Sequence, residues 1–78
     1  MNIEEIKNLL AAALVDCEIR LESEGNHVTV TAIGEVFEGK RAVQRQQQVY
    51  AILNKYIADG TIHAVNLRLY TPSEWQSA

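Results

Sequence analysis

The sequence predicts an α+β fold in the order αββαβ(α), in which helices cover one face of a single-layer, three-stranded mixed sheet. Two segments space their apolar residues three and four apart, the helical period, and three others alternate with period two. A short turn joins the first two strands, so they pair antiparallel. A helix separates the second strand from the third, so the third can run parallel to a neighbour.

The first segment has Asn2 placed to cap a helix and Glu5 three residues on, the spacing of a capping box. Ile3, Ile6, Leu9, Leu10, Ala13 and Leu14 then form one apolar face. From Cys17 to Glu22 the chain alternates, with Cys17, Ile19 and Leu21 on one side and Glu18, Arg20 and Glu22 on the other. "SEGN" is a turn, since Gly25 and Asn26 tolerate positive φ. Alternation resumes from His27 to Ile33, completing a hairpin. "GEVFEGKR" is a loop anchored by burial of Phe37.

A second helix begins at Ala42. Val43, Gln46, Val49, Tyr50, Leu53, Tyr56 and Ile57 share its broad face, and Gly60 stands just past its end. The third strand runs from Thr61 to Tyr70. "TPSEW" then starts a short last helix, with Thr71 as cap, Pro72 at the first position and Glu74 closing a capping box. Trp75 packs back on the body.

The chain has 78 residues and is read as one domain, 1–78. The apolar share of 47% is that of a folded globule and argues against disorder. The single cysteine, Cys17, excludes an internal disulfide and fits a reducing compartment. The N-terminus lacks the basic and apolar regions of a signal peptide, and no run is long enough to span a membrane, so a cytoplasmic protein is expected. The net charge of −3 disfavours tight nonspecific binding to nucleic acid. The charge is polarised, with Lys40, Arg41 and Arg45 close together and Glu4, Glu5, Glu18, Glu22 and Glu24 in the first third.

His63 raises the main question. It shares an alternation face with Val65, Leu67 and Leu69, which are core positions. It is either a core histidine held by one hydrogen bond or a ligand at the rim of the sheet. Catalysis finds little support: there is no nucleophile–base signature, no phosphate-cradling glycine run and no paired carboxylates with a pocket to shift them.

The stretches "FEGKRAVQRQQQVYAILNKYI", "IHAVNLRLYTPSEW" and "NHVTVTAIGEVFEG" together resemble the BolA family, especially its short bacterial, IbaG-like branch. The resemblance runs from about residue 3 to residue 76. Its most specific parts are Phe37-x-Gly39, Arg45-Gln46, Val49-Tyr50, Ile62-His63-Ala64 and Thr71-Pro72-x-Glu74-Trp75. It implies a fold similar to the type II K-homology domain. It also implies pairing with a monothiol glutaredoxin around a shared [2Fe–2S] cluster, held in the complex with glutathione and not by the isolated chain. The free chain is then expected to be a monomer or weak homodimer that touches no membrane.

His63 falls on the family's histidine and is the expected iron ligand, a neutral imidazole of the kind found in Rieske-type sites. His27 is the candidate second ligand. Relatives carry a cysteine or histidine in a longer hairpin loop, whereas Ser23-Glu24-Gly25-Asn26 is short and leaves His27 as the hairpin's one imidazole. Glu24 is a poor match to an iron–sulfur centre. Cys17, in line with Ile19 and Leu21, reads as a small buried hydrophobe. The competing function is that of a nucleic-acid-binding regulator using Lys40, Arg41 and Arg45. Against it, the G-x-x-G grip of K-homology domains lacks its second glycine here, because Gly39 is followed by Lys40, Arg41 and Ala42.

Overall fold

The computed structural model describes residues 2–77. Helix α1 (Ile3–Ala13) leads to strands β1 (Glu18–Glu24) and β2 (His27–Ile33), followed by a single 3₁₀ turn at Glu35–Phe37. Helix α2 (Ala42–Ala58), strand β3 (Ala64–Tyr70) and a short helix α3 (Pro72–Ser77) complete the chain. The strand order is β1-β2-β3, with β1–β2 antiparallel and β2–β3 parallel. This is the mixed sheet that the hairpin and the crossover helix predict.

The register sets the faces. Ile19 lies opposite Ala32, Leu21 opposite Val30, Val28 beside Val65, and Val30 beside Leu67. All point to the face covered by α1 and α2. Ile6, Leu10 and Leu14 meet Val49 and Leu53 there, and Phe37 is wholly buried as the loop anchor. The Tyr56 hydroxyl of α2 donates to Glu5 of α1 at 2.9 Å, joining the two helices at their outer edge. Helix α3 serves the opposite face. Its Trp75 ring sits 5.3 Å from Tyr70, with the Arg20 guanidinium 5.0 Å from the ring centre.

Several boundaries differ from the sequence expectation. Strand β1 starts after Cys17 and runs on to Glu24, because the turn needs only Gly25 and Asn26. Gly25 takes the left-handed conformation (φ 60°) and Asn26 does not, the pattern of a glycine-led two-residue hairpin. Strand β3 starts at Ala64 rather than Thr61. The chain first leaves α2 through Gly60 (φ 82°) and then drives Ile62 into the core, where its N–H reaches the Tyr56 carbonyl at 3.1 Å. Period-two alternation therefore breaks between Ile62 and Ala64, and His63 is exposed. On α1, Leu9 and Ala13 fall outside the buried stripe. On α2, Val43, Gln46 and Tyr50 face solvent, and Gln46 lines a groove between the first turns of the helix and β3.

Cys17 is partly buried and abuts Gly34, where any Cβ would collide with its Sγ. Burial, and then the charge of Asp16, raise its pKa above the ordinary thiol value and keep it protonated. It is a packing thiol at the end of β2 away from His27. Among the described residues, no helix is long and apolar enough to cross a membrane.

Candidate functional site

The start of the parallel β2–β3 pair forms a rim. His27 opens β2 directly after the turn and is the register partner of Ala64, so His63 precedes β3 at the same level. Asn26 fixes that level, since its carbonyl accepts the His63 N–H at 3.0 Å. The other approach to His63 is also set. Asp59 closes α2 and its carboxylate accepts the Thr61 N–H at 2.9 Å. Hydrogen bonds from the Thr61 side chain and backbone hold that carboxyl below its usual range.

His27 and His63 line one open cleft of about 440 Å³, together with Glu24, Gly25 and Asn26. The Asn26 amide nitrogen lies 3.4 Å from His63 Nδ1. Among the described residues, no three of His, Cys, Asp and Glu gather closely enough to hold a metal ion. Two imidazoles supply at most half of the four protein-side ligands that a [2Fe–2S] centre needs. Cys17 is remote: it lies beside Gly34, the length of β2 away, roughly 20 Å at the rise of an extended strand. Any metal centre at this rim would need ligands beyond these two imidazoles.

The cations predicted to act together are divided. Arg45 is largely enclosed, with its side chain 12% exposed. Its guanidinium grips both carboxylate oxygens of Glu74, at 2.6 and 3.2 Å, and donates to the carbonyls of Leu69 and Lys40 at 3.1 and 2.9 Å. Lys40 donates to Gln48 at 2.8 Å. Arg41 is exposed at the start of α2, where its backbone N–H donates to Gln44. A groove of about 450 Å³ between α2 and β3 is lined by Lys40, Arg45, Arg68 and Glu74 among others, with Leu67 and Leu69 also in its wall. Arg41 stands outside that lining.

Glu74 also closes the capping box that the sequence predicts, accepting the Thr71 N–H at 2.9 Å while its own N–H donates to Thr71 Oγ1 at 3.2 Å. Arg45, and then the Thr71 N–H, pull its carboxyl down to about 2. Sequence reasoning missed two long-range polar contacts, Asn26 with His63 and Arg45 with Glu74. Asn26 was visible only as a turn former, and the Arg45–Glu74 pair spans 29 positions with no local pattern to mark it.

A small α+β module with an imidazole-bearing rim is thus in place. The profile of the family described as BolA-like protein matches residues 5–74, and the chain belongs to that family. Over 75 residues it is 45% identical to the acid stress protein IbaG of Escherichia coli strain K12, covering 96% of this chain and 89% of that protein. A BolA protein homologue from Coxiella burnetii has the same fold, with a TM-score of 0.81 at 28% identity and 97% of each chain covered. Over 52 residues the chain is 36% identical to the DNA-binding transcriptional regulator BolA of Haemophilus influenzae, spanning 67% of this chain and 50% of that protein.

Proposed function

We propose that this chain is an adaptor of iron–sulfur trafficking or sensing that binds a monothiol glutaredoxin and shares a bridging [2Fe–2S] cluster with it. The observation that carries this reading is the placement of His63 and His27 in one open cleft. His63 is the principal ligand and His27 the second. The remaining ligands are thiolates of the partner and of glutathione, the pairing that the family resemblance implies. A neutral imidazole in place of a thiolate changes the net charge of the cluster, and with it the potential and lability. The chain's own work is to hold two imidazoles on a rigid sheet end while leaving space for the partner.

The test is anaerobic reconstitution with a monothiol glutaredoxin, glutathione, iron and sulfide, read by visible circular dichroism of the purified complex. A heterodimer with a spectrum unlike that of the glutaredoxin homodimer is expected, and His63→Ala changes it. A holo-complex spectrum unchanged by His63→Ala removes His63 as a ligand. Failure to form any cluster-bearing heterodimer overturns the whole reading.

The second reading is a DNA-binding regulator, favoured by the relative of that name and by the cationic groove. With Arg45 committed internally, it rests on Lys40, Arg41 and Arg68. Binding that weakens steeply with salt, and weakens further on neutralising those three residues, is its signature.

A further inference from the structure

We propose that the outer edge of β3 is a docking site for an extended segment of another protein, one in which apolar and acidic residues alternate and which joins the sheet as a fourth strand. β3 stands last in the strand order and pairs only with β2. Its backbone groups are divided between two sides. Gly34, just past β2, donates to the Tyr70 carbonyl at 2.9 Å, so Tyr70 faces β2. In a strand this direction alternates, so Ala64, Asn66 and Arg68 face β2 as well, and Val65, Leu67 and Leu69 face outward. The Arg45 guanidinium marks that outer side, reaching the Leu69 carbonyl at 3.1 Å. Among the described residues, no other hydrogen bond reaches it. Both backbone groups of Val65 and of Leu67, and the Leu69 N–H, are left for a neighbour.

The two edges of the sheet are unlike. β1 carries Glu18, Arg20, Glu22 and Glu24, a charged edge of the kind that discourages further pairing. β3 has Val65, Leu67 and Leu69 with one charge, Arg68, and its register with β2 runs without a bulge. Charge complementarity names the occupant. Three of the chain's seven lysines and arginines, Lys40, Arg45 and Arg68, line the groove beside this edge against one carboxylate, Glu74, although the net charge is −3. Glu74 is engaged by Arg45, which leaves Lys40 and Arg68 for an acidic guest. An added strand sets its side chains alternately on two faces. On the side of α2 they meet Ala42 and Leu67, and on the other side they run beside Arg68. Main-chain bonds then supply affinity and the alternating side chains supply selectivity. Phosphates suit the cations but leave the outward carbonyls without donors, so the edge favours a peptide over a nucleic acid. A second copy meeting this one edge to edge would bring like charges together.

The test is amide NMR of the ¹⁵N-labelled chain, titrated with an end-blocked peptide of about eight residues that alternates valine and glutamate. Pairing should shift the amides of Val65, Leu67 and Leu69 and slow their exchange with solvent. Those of Asn66 and Arg68, already turned to β2, should move least. Shifts without this period-two pattern, or no shift at millimolar peptide, overturn the proposal. Among the described residues Arg68 is exposed and takes part in no ion pair, so Arg68→Glu leaves the fold intact. It should weaken binding of the glutamate peptide about fivefold and strengthen binding of a valine–lysine peptide. Equal affinity of the wild type for both peptides overturns the acidic preference and with it the proposal. A single-stranded oligonucleotide that shifts these amides where the peptide does not overturns it in favour of nucleic acid. Shifts of the same amides on diluting the chain alone would place a second copy on the edge and overturn it too.

Discussion

At the start of β3, His63 stands exposed, with one side-chain contact of 3.4 Å to Asn26. At the other end, Arg45 is largely enclosed and bound to Glu74, to the Leu69 carbonyl and to the Lys40 carbonyl. Both ends are polar, yet one is kept open and the other is closed on itself. The closed end fastens α2, β3 and α3 together. That fastening lies at the end of the strand away from the histidine. Local stability is thus unevenly shared along one strand.

The largest effect is expected from breaking the closed end. Arg45→Met keeps much of the side-chain stem but strands the Leu69 and Lys40 carbonyls and frees Glu74. Leaving such groups without partners costs about 1–3 kcal/mol. Urea unfolding of wild type and variant measures it directly. A loss under about 0.5 kcal/mol, the range of an ordinary surface substitution, would mean that water replaces these bonds freely and that the two ends of β3 differ less than they look.

The same two ends show what the sequence could and could not reveal. Periodicity located α1, α2 and the three strands, since burying a stripe requires the right spacing, and the capping residues Thr71, Pro72 and Glu74 located α3. Phe37 was legible as an anchor, because a large apolar side chain in a polar loop has no better place than the core. The departures at 61–63 were not legible. Alternation alone put His63 beside Val65, whereas the chain leaves α2 at an angle that buries Ile62 instead. Arg45 looked like a free cation because its partner Glu74 is brought near only by the folding of β3 and α3. His27 and His63 could be named as candidates, but their shared cleft depends on β3 lying beside β2 in the register His27 opposite Ala64, which the crossover helix alone does not fix. Asn26 had turn chemistry sufficient to explain it, and that hid its contact with the imidazole.

A smaller effect, specific to acid, separates the charge of the clamp from its geometry. The Glu74 carboxyl is held at about 2 in the fold against an ordinary value of 4.5. Between those values the unfolded chain binds the proton and the folded chain does not, so stability rises with pH across that window and falls as pH drops through it. Glu74→Gln cannot titrate but can still accept from Arg45. Its stability should therefore depend less on pH between about 4.5 and about 2 than that of wild type. Denaturation midpoints across that range make the comparison. Parallel curves would show that the carboxylate charge contributes little and that hydrogen-bond shape alone holds the clamp.

The smallest stability effect is expected at the open end, and its smallness is informative. His63→Ala removes an exposed ring whose side-chain partner is an exposed amide, so neither group is left buried without a partner. The backbone bond from residue 63 to the Asn26 carbonyl does not depend on the side chain. Ile62 and Ala64 keep their places. The change in unfolding free energy should stay within about 0.5 kcal/mol, which equilibrium denaturation resolves. A histidine that served the core would cost several times more on truncation, because a cavity or an orphaned partner would remain. A large loss would therefore return His63 to a structural role. A near-zero loss, alongside an altered spectrum in the glutaredoxin complex, would mean that this imidazole is kept for what it binds rather than for what it packs against.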